Sequence, residues 1–158
     1  MAYELKTALA KQTYRTLLSA IEANGWICSH NDAQLALNFG VHGDDLDMEF
    51  YVLVDAERQI VRLISRLPFK FPGNRIFEGA IATGIANYAL VDGNFDFDIT
   101  RGDVIFRMTT SFLSSVVSKD AFINLVNYAA WAVDRFNDKL FMVSNGMMSV
   151  DDFIKFCQ

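Results

Sequence analysis

The stretch from Asn87 to Met108, NYALVDGNFDFDITRGDVIFRM, decides the fold of this chain. It predicts the end of a helix, a short loop and then a tight β-hairpin. Large apolar and polar residues alternate on both sides of the turn, which indicates two strands with one buried and one solvated face. The apolar positions are Phe95, Phe97, Ile99, Val104, Phe106, Met108 and Phe112.

A two-residue turn at Arg101-Gly102 is predicted to connect these strands, since glycine supplies the positive φ that such a turn needs. This turn keeps the apolar side chains on one face, because a slip by one residue would move all of them to the other face. The predicted pairs are Ile99 with Val104, Phe97 with Phe106, and Phe95 with Met108. Asp96 then falls opposite Arg107, as a cross-strand ion pair on the outer face.

Three further strands are predicted upstream, joined by turns at His42-Gly43 and Ala56-Glu57. Both turns give registers that keep the apolar residues on one face, which is typical of an antiparallel meander. The expected pairs are Phe39 with Leu46, Leu37 with Met48, Leu35 with Phe50, Val52 with Val61, and Phe50 with Leu63. The segment from Trp26 to His30 is expected to be a connector or a short extended piece.

Helices are predicted before, between and after these strands. The first spans about Glu4–Ala23 and ends at Asn24-Gly25. Asn74 is expected to cap the second, with Phe77, Ile81, Ile85 and Tyr88 on one side and with Gly79 and Gly84 as positions of close packing. Ser118 caps the third helix, which turns Phe122, Leu125, Val126, Ala129, Val133 and Phe136 inward, and Ser149 opens a short fourth helix.

The predicted fold class is therefore α+β, with the element order α-β-β-β-α-β-β-α-α. A five-stranded antiparallel sheet, built from the meander and the hairpin, carries the helices on one face. The chain has 158 residues and no linker-like segment, so residues 1–158 are expected to form one domain.

Composition limits the classes of function. The formal charge is −5, which argues against nucleic acid and anionic membranes as partners. No apolar run has the length of a membrane span or the form of a signal peptide, so a cytoplasmic location is expected. Cys28 and Cys157 are far apart and are interpreted as buried or inert thiols.

At this point the chain resembles the YbjN family, described as bacterial sensory transduction regulators with a type III secretion chaperone-like fold. The resemblance covers roughly Leu17 to Ile154. It implies an α+β fold with no agreed activity and no defined catalytic residues, and its fold relatives are homodimers that bind extended segments of client proteins. The residues that carry it are IEANGW (Ile21–Trp26), RLPFKFP (Arg66–Pro72), ANYALVDGNFDFDITRGDVIFRM (Ala86–Met108) and Val133-Asp134-Arg135.

Residues with catalytic or metal-binding chemistry form no recognisable motif. Asp44, Asp45, Asp47 and Glu49 could hold a hard cation, but they lack the spacing of a calcium loop, and Asp47 is expected to pair with Arg66. His30 is not part of a sequence motif, although a spatial pairing with Cys28 stays open. No enzymatic activity, metal or cofactor is therefore expected.

The outer face of the sheet is the predicted protein-binding surface, because it combines apolar residues with arginine. A helix covering this face is the alternative. The leading hypothesis is a non-enzymatic protein-binding module, homodimeric and chaperone-like or regulatory, with a client or regulatory protein as partner. The other hypothesis is a small-ligand sensor or an enzyme with a pocket between helices and sheet. The predicted surface residues are Tyr51, Leu53, Arg62, Ile64, Arg66, Ile105 and Arg107.

Overall fold

A computed structural model describes residues 2–158. Its elements, in chain order, are α1 (Tyr3–Ala23), β1 (Cys28–Asn31), β2 (Ala36–His42), β3 (Asp47–Asp55), β4 (Ile60–Lys70), a 3₁₀ turn (Gly73–Arg75), α2 (Ile76–Ala89), β5 (Asn94–Phe97), β6 (Asp103–Ser111), α3 (Lys119–Ser144) and α4 (Val150–Cys157). The α+β class and the antiparallel sheet are confirmed.

The sheet has six strands rather than the five predicted, in the spatial order β1-β2-β3-β4-β6-β5. The additional strand is β1, which pairs antiparallel with β2 at the edge of the sheet. Its sequence, CSHN, carries no apolar alternation, because an edge strand has one neighbour and three of its four residues are exposed. Backbone pairing alone defines this strand, and the side-chain pattern could not indicate it.

The predicted registers are wrong, although the residues that pair keep the predicted face. Ile99 is the exception, because it lies in the loop after β5 and is 59% exposed rather than buried opposite Val104. Phe95 pairs with Phe106 rather than Met108, and Phe97 pairs with Val104. The register of the meander is shifted as well, because Phe39 pairs with Phe50 rather than with the predicted Leu46. The real loops are longer than the assumed two-residue turns, and each shift is an even number of residues, so the inner and outer faces are unchanged.

Longer loops also change the predicted ion pairs. Asp96 lies opposite Ile105, yet its carboxylate still reaches Arg107, with a distance of 3.1 Å from Nε to Oδ2. Asp47 does not pair with Arg66. It lies opposite His42, and 2.6 Å separates its Oδ1 from the imidazole Nδ1.

The core fills the space between the inner face of the sheet and the helices. A single hydrophobic cluster contains residues from β2 to β6 and from all four helices. Rings on α3 touch the sheet directly, since Phe122 packs edge-on against Phe39 and Phe136 packs against Phe95. The six positions of α3 predicted to point inward are all buried. The helices therefore cover one face of the sheet, as predicted.

Polar residues set the ends of the helices as predicted in three of four cases. Asn24 ends α1, and the hydroxyls of Ser118 and Ser149 accept backbone N–H bonds at the starts of α3 and α4. Asn74 does not cap α2. It lies inside the 3₁₀ turn, and α2 begins after Arg75 without a side-chain cap.

Asn87 connects α2 to the edge strand β5. Its amide nitrogen donates to the carbonyl of Phe95 at 3.0 Å, and its amide oxygen accepts from the Phe95 N–H at 2.6 Å. One side chain thus satisfies both backbone groups of a strand residue that has no neighbouring strand on that side. This contact fixes the position of α2 beside the sheet.

Candidate protein-binding surfaces

The outer face of the sheet carries the seven predicted surface residues, and none of them is buried. Tyr51 is 42% exposed, and Arg66 is exposed. Tyr51 lies directly opposite Ile64, and Leu53 lies opposite Arg62, on the neighbouring strands β3 and β4. On β6, Ile105 lies opposite Arg66, and Arg107 lies opposite Ile64. The structure therefore brings the seven residues together on one surface across three central strands.

Charges on this outer face are largely paired within it. Asp96 binds Arg107 at 3.1 Å, and Asp103 lies between Arg66 and Arg101 at 3.7 and 3.1 Å. Within residues 2–158, Arg62 makes no ion pair and no side-chain hydrogen bond. The outer face thus offers a partner apolar side chains and, near its centre, an arginine without an ion pair among the described residues.

The outward side of α2 exposes more apolar surface than the sheet does. Phe77, Ile81 and Tyr88 are 76%, 52% and 95% exposed, and the two rings alone present roughly 300 Å². These residues do share one side of the helix, as the sequence predicts. That side points away from the sheet.

Small residues explain why α2 has this orientation. Gly79, Ala82 and Ala86 form its buried side. A Cβ on Gly79 would lie 2.6 Å from the ring of Phe97 and 2.8 Å from that of Phe71, so only glycine permits this approach. The predicted close packing is therefore confirmed at Gly79. It is wrong at Gly84, where a Cβ would meet no atom within 4 Å.

A groove of about 690 Å³ runs between the outward side of α2 and the C-terminal helix α4. Its lining is mostly apolar. Glu78 is the one charged residue in the sequence of α2. We name the surface formed by Phe77, Ile81, Gly84, Ile85, Tyr88 and Ile154 the α2 face. Sequence reasoning recognised its apolar residues but not their exposure. The sequence feature that could have revealed the exposure is the set of small residues, Gly79, Ala82 and Ala86, on the opposite side of the helix.

Two crystal structures resemble this arrangement of sheet and helices. One chain of the ExsC-ExsE complex superposes with a TM-score of 0.56 at 16% sequence identity, over 82% of this chain and 96% of that one. YbjN from E. coli superposes with a TM-score of 0.57 at 11% identity, over 80% and 92%. This chain has the YbjN and type III secretion chaperone-like fold.

The resemblance is one of fold. A further chaperone-like match, a chain of the HopA1-SchA chaperone-effector complex, has a TM-score of 0.49 at 14% identity, over 77% of this chain and 91% of that one. No protein-family model matches the sequence, and neither does any curated protein. Function is therefore inferred from the surfaces of this chain.

His30 and Cys28 lie two residues apart on β1, on the side that faces α1. His30 binds Asp32, with 2.8 Å between Nδ1 and Oδ1, and the Tyr14 hydroxyl donates to the same carboxylate oxygen at 2.7 Å. These two bonds, that of Tyr14 first, hold the pKa of Asp32 below its usual value. Burial raises the pKa of the Cys28 thiol, which disfavours the nucleophilic thiolate. The histidine is thus engaged with Asp32, and the thiol instead donates to the Ser29 carbonyl at 3.2 Å.

The acidic residues after β2 do not converge on one point. Asp47 binds His42, Glu49 accepts from the Asn38 amide at 2.7 Å, and the Asp44 N–H donates to Asp134 on α3. Across residues 2–158, no group of three or more His, Cys, Asp or Glu side chains could hold a metal ion. None of the helices in that range is long and apolar enough to cross a membrane.

Proposed function

We propose that this protein is a homodimeric, non-enzymatic protein-binding module of a chaperone-like or regulatory kind. In this proposal the α2 face joins two copies, and the outer sheet face receives a segment of a client protein. The observation that carries it is the exposure of the apolar side of α2 in a folded chain. Neighbours with the same fold, among them a chain of the ExsC-ExsE complex, support a protein partner.

The α2 face suits a second copy of the same chain. A two-fold dimer uses the same patch on both subunits, so any net charge on the patch would face the same charge on the partner and repel it. A chain with a net charge of −5 repels its copy, but Glu78 is the one charge in the sequence of α2. The open position at Gly84 leaves room between Ile81 and Tyr88 for side chains of the partner helix.

The apolar area of the α2 face is consistent with a dimer interface. Functional patches on monomers measure roughly 300–600 Å², and a standard interface buries roughly 800 Å² on each partner. The two aromatic rings of α2 contribute roughly 300 Å² of this, and the groove toward α4 adds further apolar surface. The α2 face therefore supplies the apolar centre that such an interface needs.

Replacing Ile81 with aspartate is expected to weaken the dimer by roughly 100-fold or more, since a buried unpaired charge costs several kcal/mol. Native mass spectrometry and sedimentation velocity measure the change. Tyr3→Asp is the matched control, because Tyr3 is 80% exposed on another helix and should leave the dimer intact. A wild-type protein that is monomeric at tens of micromolar would refute the assignment, as would an Ile81→Asp protein that dimerises normally.

The α2–α4 groove favours one alternative, a small-ligand sensor. Its volume of about 690 Å³ lies in the range of small-molecule sites, and its lining is mostly apolar. Native mass spectrometry of the freshly purified protein separates the two functions. A species at twice the chain mass supports the binding module, whereas a monomer that carries extra small-molecule mass supports the sensor.

A further inference from the structure

We infer that the outer sheet face binds an extended segment in which an acidic residue lies between two apolar residues at alternate positions, with its carboxylate on Arg62. This inference rests on the proposed client-binding role of that face. It adds the chemistry of the partner, which follows from the surroundings of one arginine.

Arg62 lies near the centre of the outer face. Its strand, β4, has β3 on one side and β6 on the other, and these are the most extensively paired strands of the sheet. Arg62 is opposite Leu53 on β3 and opposite Thr109 on β6. Energetically dominant interface residues cluster at the centre of an interface, and arginine is enriched among them.

None of the carboxylates on this face is within ion-pairing distance of Arg62. Each is held by another side chain, so that all five acidic groups are already partnered. The pairs are Asp96 with Arg107, Asp103 with Arg66 and Arg101, Asp55 with Arg58, Asp47 with His42, and Glu49 with Asn38. Among the arginines of β3, β4 and β6, Arg62 is the one left without a carboxylate in the described chain.

The neighbours of Arg62 along its own strand are apolar. Ile60 and Ile64 lie two residues away on either side, on the same face of β4. Side chains two apart on a strand are roughly 7 Å from each other. An extended partner with the same spacing would place two apolar side chains on Ile60 and Ile64 and a middle carboxylate on Arg62.

Burial of Arg62 under a bound segment makes an acidic residue in that segment necessary. Arg62 is already half-buried, and a segment lying across the face would remove most of its remaining water. A desolvated guanidinium without an acceptor disfavours binding, whereas a carboxylate forms a charge-assisted and often bidentate pair with it. A second copy of this chain would bring an outer sheet face on which the carboxylates are already paired. The charge pattern thus favours an acidic, apolar segment of another protein.

Synthetic peptides test this directly. The probe is a seven-residue peptide with leucine at its second and sixth positions, glutamate at the fourth and serine elsewhere. The comparison peptide has glutamine in place of glutamate. Binding to the ¹⁵N-labelled full chain is followed by amide chemical shifts, and we expect the glutamate peptide to bind about tenfold more tightly, with shifts on β3, β4 and β6. Raising the salt concentration should reduce the difference.

Variants of the chain identify the contact. Arg62→Met keeps most of the aliphatic stem and should remove the preference for glutamate. Arg15→Met is the control, because Arg15 is exposed on α1, on the opposite side of the sheet, and it should keep the preference. Leu53→Asp should abolish binding of both peptides, since it places a charge at the centre of the face.

The outcomes distinguish the role of Arg62 from the proposed client-binding role of the outer sheet face. Loss of binding in Leu53→Asp, with equal affinity for the two peptides, would leave the outer face as a binding surface and overturn the role of Arg62. Absence of binding by either peptide at millimolar concentration would overturn both the inference and the client-binding role of the face. The dimer at the α2 face is measured separately and is unaffected by either result.

Discussion

Replacing Phe136 with alanine is expected to lower the free energy of unfolding by about 3–5 kcal/mol, the usual loss for a fully buried phenylalanine. The side chain of Phe136 is 0% exposed and lies where three elements meet. Its ring contacts Phe95 on β5 and both Phe153 and Phe156 on α4, at centroid distances of 5.7, 6.5 and 5.8 Å. No neighbouring segment is free to fill the cavity, because the ring is enclosed by a helix and by the sheet.

Urea denaturation at fixed protein concentration measures this change, since dimer formation makes the apparent stability depend on concentration. Phe141→Ala on the same helix is the control. Phe141 is 48% exposed and makes one ring contact, with Phe69, so its loss should cost about 1 kcal/mol. Equal losses for the two variants would contradict the position of the core between α3 and the sheet.

Replacing Gly102 with alanine is expected to destabilise the protein by roughly 2–4 kcal/mol. Gly102 has φ +76°, and a Cβ there would lie 2.1 Å from the carbonyl oxygen of Phe71. The backbone cannot yield easily, because the Gly102 carbonyl accepts the Phe71 N–H at 2.9 Å and Gly102 donates to Asp98 at 2.7 Å. The turn therefore requires glycine both for its φ and for its close approach to Phe71, the residue that follows β4.

Gly73→Ala is the comparison for this variant, measured by thermal and urea denaturation. Gly73 has no positive φ, and a Cβ would meet nothing within 4 Å, so alanine should be neutral or stabilise the fold by up to about 1 kcal/mol. The same chemical change is thus expected to have opposite effects at two sites. A Gly102→Ala protein as stable as wild type would mean that the loop before β6 tolerates another conformation.

The two surfaces have different physical characters, which supports different roles for them. The α2 face is almost uncharged and contains large exposed rings, as expected of an interface between like-charged copies. The outer sheet face contains smaller exposed apolar side chains and paired charges around one unpaired arginine, which favours a partner of complementary charge. Ile81→Asp and Arg62→Met therefore separate dimer formation from client binding.

Sequence reasoning located the outer-face residues well and the α2 face poorly. Strand residues alternate with a period of two, so Tyr51, Leu53 and Ile64 could be assigned to one face without knowing the loops. In α2 the large apolar residues share one side and the small ones share the other. Hydrophobicity predicts that the large side is buried, but the close contact of Gly79 with Phe71 and Phe97 reverses this.

By itself, the sequence determined the α+β class, the positions of most helices and strands, and the inner and outer faces of five strands. These are local properties, because periodicity and capping residues act within a few positions along the chain. Only the tertiary structure decided the three features that depend on distant contacts. They are the edge strand β1, which exists through its pairing with β2; the registers, which depend on loop length; and the outward side of α2, which follows from the space that the sheet leaves beside Gly79.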